Sequence, residues 1–202
     1  MILFKIFISA FLINNVVLLR FIALCPFIGM STDEDKSFGM GLAVTFVTVI
    51  ATCVTWPIYR FILVPEDGRW DLSFLQLLVF ILVIASLVQL VEFYLKKSAP
   101  ALYGSMGIYL ALITTNCAIL AVTLDVINNE NPFTEVPYKF EESVVYAIGV
   151  AAGFLLALLL LAGVRRRIRT SPIPAFLKGA PILFVSAGLL SIAFMGFSGL
   201  VK

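Results

Sequence analysis

Histidine is missing from all 202 residues, which excludes imidazole-ligated haem, mixed Cys/His zinc sites and any triad built on an imidazole base. Charge is scarce. Only 13% of residues are Asp, Glu, Lys or Arg, against about 25% in a soluble domain, and the net charge is +2. With so little charge, and that gathered in clusters, no nucleic-acid partner is expected. The three cysteines are an odd count in a chain with short loops, which argues against a disulfide framework. No G-x-G-x-x-G follows a strand-like run, so the chain carries no dinucleotide fingerprint of its own.

Apolar sequence is what the chain has in abundance. It is 61% hydrophobic with a mean hydropathy of +1.08, the composition of a polytopic protein living in a lipid bilayer. A spanning helix needs about 20 apolar residues. Six stretches qualify, at 2–27, 39–63, 72–95, 101–126, 144–164 and 180–201, and turn-rich or charged segments separate them. None of those segments is long enough for a separate domain, so residues 1–202 form a single membrane domain of all-α class. Lys5 is followed by an apolar run without a small-residue cleavage site, which reads as a retained first helix. The loops after spans one, three and five hold eight basic residues, with Arg165–Arg169 the densest cluster, and the opposite face holds five. That bias places both termini outside the cytoplasm.

Ala10-Phe11-Leu12-Ile13-Asn14-Asn15 in span one resembles Leu110-Ala111-Leu112-Ile113-Thr114-Thr115-Asn116 in span four. Each segment opens a three-span half, about 1–97 and 98–202. Three is odd, so the second half inserts upside down, as in inverted repeats whose broken helices meet near the midplane. Asn14-Asn15 and Thr114-Thr115-Asn116 are weak helix formers able to bond freed backbone groups, and Pro26 is expected to push Cys25 out of helical geometry. The same polar residues could instead line a cation path.

Cys25 lies in span one and Cys117 in span four, each beside such a break. At about 1.5 Å per residue, unbroken helices would carry Cys25 roughly 33 Å inward and Cys117 about 24 Å outward. The thiols can serve one centre only if the helices are interrupted. Buried cysteine is often inert packing, and Cys53, with no helix-breaking neighbour, is read that way. For Cys25 and Cys117 the alternative is metal ligation. Iron–sulfur clusters take four thiolates, so two from this chain make half a site. Arg20, five residues before Cys25, either snorkels to headgroups or supplies a counter-charge to a thiolate cluster. Glu92 and Lys96 are spaced as an interfacial ion pair. Gly149-Val150-Ala151-Ala152-Gly153 and Gly39-Met40-Gly41 read as helix-packing motifs.

The runs Asn14–Leu18, Leu24–Gly29, Ile113–Ala118 and Ala193–Lys202 resemble the A subunits of the Rnf complexes, the ion-translocating ferredoxin:NAD oxidoreductases of bacterial inner membranes. Asp71–Leu75 and Glu142–Tyr146 look more like the sister family, the E subunits of the sodium-pumping NADH:quinone oxidoreductases. The resemblance implies a translocase subunit without a complete active site of its own. It implies pairing with a homologous membrane subunit of opposite topology, beside further membrane and peripheral flavin and iron–sulfur subunits. It also implies an intramembrane 2Fe-2S cluster, or a single iron, held by two cysteines from each of the paired subunits, here Cys25 and Cys117. Electrons would pass across the membrane, coupled to Na⁺ or H⁺ movement. A redox-inactive inverted-repeat transporter and a structural scaffold are the competing classes.

Overall fold

The computed structural model describes residues 2–31, 34–63, 75–98, 112–128, 138–172, 174 and 177–199, and the described residues are helices joined by short turns. Span one is in pieces: α1 (Ile2–Ile8), a π-helical turn (Ser9–Ile13), α2 (Val16–Arg20) and α3 (Leu24–Met30). Then follow α4 (Glu34–Ile58) with a second π-turn (Tyr59–Leu63), α5 (Gln76–Ser98), α6 (Cys117–Asn128), α7 (Phe140–Arg169) and α8 (Ala180–Met195). Residues 112–114 form a helical turn before α6. Three helices, Ser37–Phe61, Gln76–Phe93 and Phe140–Arg169, are long and apolar enough to cross a membrane. Shorter apolar helices occupy the places of spans one, four and six.

The central helix is α7, whose most extensive pairing is with α4, and it also packs along α1 and the first π-turn. Glycine makes the close approaches possible. A Cβ on Gly149 would meet the Phe7 carbonyl oxygen at 3.0 Å, one on Gly153 would meet that of Phe11 at 2.8 Å, and one on Gly41 would run into Leu155. Both small-residue motifs therefore act as helix contacts. Along α4, Thr45, Thr48, Thr52 and Thr55 each donate to the carbonyl four residues back, which satisfies their hydroxyls inside an apolar helix. Trp56 donates from Nε1 to the Tyr138 carbonyl at 3.2 Å, tying the end of α4 to the start of α7. By contrast α5 and α8 present exposed apolar side chains such as Leu82, Phe93, Leu189 and Ile192, the outward face expected of helices in lipid or against another membrane subunit.

The first break falls where the asparagines predict it. Asn14 leaves helical geometry (φ −98°, ψ 45°) and Asn15 is extended (φ −66°, ψ 104°). The second break corrects the expectation for Pro26. Cys25 and Pro26 lie inside α3, in its first turn, where a proline's missing N–H has no intrahelical partner to lose. The chain turns three residues earlier instead, through Phe21 (φ 52°) and Ala23 (φ 65°), both left-handed. Phe21 takes the position glycine usually fills after a helix, and the Ile22 N–H reaches back to the Val16 carbonyl at 3.3 Å. Each left-handed non-glycine residue costs roughly 1–2 kcal/mol, so surrounding packing must hold this corner. Ala23 and Phe27 are buried in the same core as Val17, Ile119 and Leu158. The Lys96 side chain lies outside the described residues, and with it the expected Glu92–Lys96 pair.

Candidate functional site

Each thiol follows an interruption. Cys117 opens α6 directly after the Thr115–Asn116 break, and Cys25 lies in the first turn of α3 after the Phe21–Ala23 corner. Both are free and exposed, whereas Cys53 is half-buried in mid-α4. The Cys117 thiol donates to the Thr115 carbonyl at 3.9 Å. Among the described residues no three Cys, Asp or Glu side chains gather as a metal site. An iron–sulfur cluster takes four thiolates, and the two exposed thiols would supply two of them, a donor set that fits a centre completed by another chain.

The polar residues at the breaks serve the backbone. Asn15 is 1% exposed, and its Oδ1 accepts from the Val17 and Leu18 amides at 3.2 and 3.3 Å. Its Nδ2 donates to the Gly153 carbonyl on α7 at 2.9 Å. Both ends of that amide are engaged by backbone groups. Asn14 closes the π-turn, its N–H donating to the Ser9 carbonyl at 2.8 Å. Asn116 makes a similar cap at the second break: its Oδ1 accepts the Ala118 amide at 3.0 Å. Its Nδ2 is buried and reaches no acceptor among the described residues. Thr114 is half-buried and Thr115 exposed, immediately before it.

Arg20 has a partner that neither sequence expectation supplied. Its Nη1 lies 2.6 Å from Asp125 Oδ2 on α6, and the Tyr146 hydroxyl of α7 donates to the same oxygen at 3.4 Å. The guanidinium side chain is 41% exposed and the carboxylate 13%, so the acid is the desolvated member of the pair. A carboxylate inside the apolar run Cys117–Val126 was the available signal, because an acid at membrane depth demands a partner. At the other end of α3, Arg165 of α7 donates from Nη1 to the Ile28 carbonyl at 3.0 Å and to Ser31 Oγ at 3.2 Å. One member of the basic cluster is thus a helix cap. Outside the spans, burial pushes the Tyr138 phenol up to about 12, with the charges of Asp125 and Glu142 adding to the effect.

Interrupted apolar helices, packed by glycine and presenting thiols outward at the interruptions, define an integral membrane protein rather than a membrane-associated domain. Residues 3–201 match the profile of the family described as "Rnf-Nqr subunit, membrane protein". The chain belongs to that family. It is 51% identical, over 97% of this chain and 96% of the relative, to the A subunit of the ion-translocating oxidoreductase complex of Syntrophotalea carbinolica. The A subunit of the Na(+)-translocating ferredoxin:NAD(+) oxidoreductase complex of Acetobacterium woodii is 49% identical over 96% of each chain. The A subunit of the proton-translocating ferredoxin:NAD(+) oxidoreductase complex of Clostridium ljungdahlii is 45% identical over 97% of this chain and 96% of its own.

Proposed function

We propose that this chain is the A subunit of an ion-translocating ferredoxin:NAD oxidoreductase in a bacterial cytoplasmic membrane. In this reading Cys25 and Cys117 are its contribution to an iron centre, 2Fe-2S or a single iron, shared with a homologous membrane subunit. The observation that carries the site is the placement of two free, exposed thiols, one after each interrupted helix, with Cys53 kept inside a regular one. Near-full-length similarity to three A subunits of ion-translocating oxidoreductase complexes, two of them named for ferredoxin and NAD(+), supports the complex. The reading includes six crossings in two inverted halves with both termini outside the cytoplasm. Its supports are three long apolar helices, three shorter ones in the remaining places, and the matching caps at Asn15 and Asn116.

When bound, an iron–sulfur centre takes up and releases single electrons. The chain's part is to hold it. Cys25 and Cys117 would supply two thiolate ligands, and the partner subunit would complete the set. Val17, Leu18, Phe27 and Ile119 are buried in one apolar core within the segments that carry the two cysteines. Cation movement, of Na⁺ or H⁺, would be coupled to such a centre because an added electron in an apolar layer is costly until positive charge arrives nearby.

The deciding experiment is iron content and low-temperature EPR of the assembled complex, wild type beside Cys25→Ser, Cys117→Ser and Cys53→Ser. Selective loss of one iron–sulfur signal in the first two, with assembly intact and the third unaffected, is the expected result. Unchanged iron and unchanged signals would leave the cysteines as packing residues and make the chain a transporter or scaffold.

A further inference from the structure

The Arg20–Asp125 pair joins the same two chain segments that carry the proposed iron ligands. Arg20 ends α2, and the left-handed corner Phe21–Ala23 is all that separates it from α3 and Cys25. Asp125 lies eight residues beyond Cys117 on one uninterrupted helix, about 12 Å along its axis. The contact at 2.6 Å is supported from a third helix by the Tyr146 hydroxyl. A guanidinium stays charged at any working pH. In an apolar layer an unpaired charge acts over such a distance with little screening, whereas a close pair presents only a dipole.

We propose that Asp125 is a positioning residue: by pairing with Arg20 it cancels a fixed positive charge on the cysteine-bearing segments and so keeps the potential of the iron centre low. This rests on the reading of Cys25 and Cys117 as ligands. The pair is then more than a fastener between helices. It sets how strongly the centre holds an added electron, and it leaves cation arrival as the event that eases reduction.

The test is an EPR-monitored redox titration of the assembled complex. Asp125→Asn unmasks Arg20 and is expected to move the midpoint to more positive potential, with iron content and line shape unchanged. Arg20→Gln leaves the carboxylate and moves the midpoint the opposite way, so either variant carries the test if the other fails to assemble. The double variant returns toward the wild-type value. Wild-type midpoints in both single variants, in an assembled and iron-replete complex, would overturn the proposal and leave the pair as a helix contact. Failure of the premise has a different signature: Cys25→Ser would then retain all of the iron and every signal.

Discussion

Asn15 and Asn116 cap their half-helices with the same oxygen and differ in the fate of the nitrogen. Asn15 Nδ2 bonds the Gly153 carbonyl at 2.9 Å, while Asn116 Nδ2 is buried and has no acceptor among the described residues. The two breaks therefore share a local cap, and among the described residues the first is also locked to a neighbouring helix.

That difference predicts unequal losses. Asn15→Ala removes a cap worth about 1 kcal/mol and orphans a buried carbonyl, for a total of about 2–3 kcal/mol. Asn116→Ala loses its cap but also removes an unsatisfied donor, so its net cost stays below about 1 kcal/mol. Thermal unfolding of the two variants in detergent measures the gap. Equal destabilisation would contradict it.

Glycine substitutions separate by position. Gly149→Ala and Gly153→Ala place a methyl against Ala10, Phe7 and Phe11, at contacts of 2.8 to 3.0 Å. Forced apart, α1 and α7 lose about 1–3 kcal/mol. Gly163→Ala and Gly188→Ala meet nothing within 4 Å and gain up to about 1 kcal/mol of helix propensity. Melting temperatures of the four variants should fall into two groups of opposite sign.

Arg165→Gln strips the C-terminal end of α3 of its charged cap, at a cost of about 1–3 kcal/mol. Both bonds come from the single nitrogen Nη1, and an ammonium also carries several donors on one nitrogen, so Arg165→Lys recovers more of the loss than the glutamine variant. Limited proteolysis near Ser31 is the readout, with cleavage fastest in the glutamine variant.

Tyr138 predicts alkaline behaviour. Its folded value, pushed up to about 12 by burial, stands above the ordinary 10, so the native state holds the proton more tightly than the unfolded chain. The stability this contributes is complete below pH 10 and is lost as pH rises toward 12. Tyr138→Phe should flatten that part of the stability–pH curve, measured as the unfolding midpoint from about pH 9 upward.

The sequence exposes some of this architecture clearly and hides the rest. Long apolar runs mark α4, α5 and α7, and the polar clusters Asn14-Asn15 and Thr114-Thr115-Asn116 mark two breaks, because amides and hydroxyls in an apolar span must answer to freed backbone. The corner at Phe21–Ala23 is built from Phe, Ile and Ala, none of which favours left-handed geometry, so tertiary packing alone dictates it. Pro26 is a misleading signal, since proline breaks a helix interior but suits a first turn. Cys25 and Cys117 are visible as residues beside irregular helices, while their outward exposure is a property of the packed chain. Asp125 shows what a one-residue-at-a-time reading misses: its meaning lies in Arg20, 105 positions away.

The Asn15–Gly153 bond also carries a consequence for biosynthesis. Its acceptor is made 138 residues after its donor, which at about 5–20 residues per second is a delay of roughly 7–30 s on the ribosome. Through that interval the first segment holds a polar corner that no later helix has yet arrived to satisfy. Synthesis of α7 is therefore the step that completes the hydrogen bonding of the first segment.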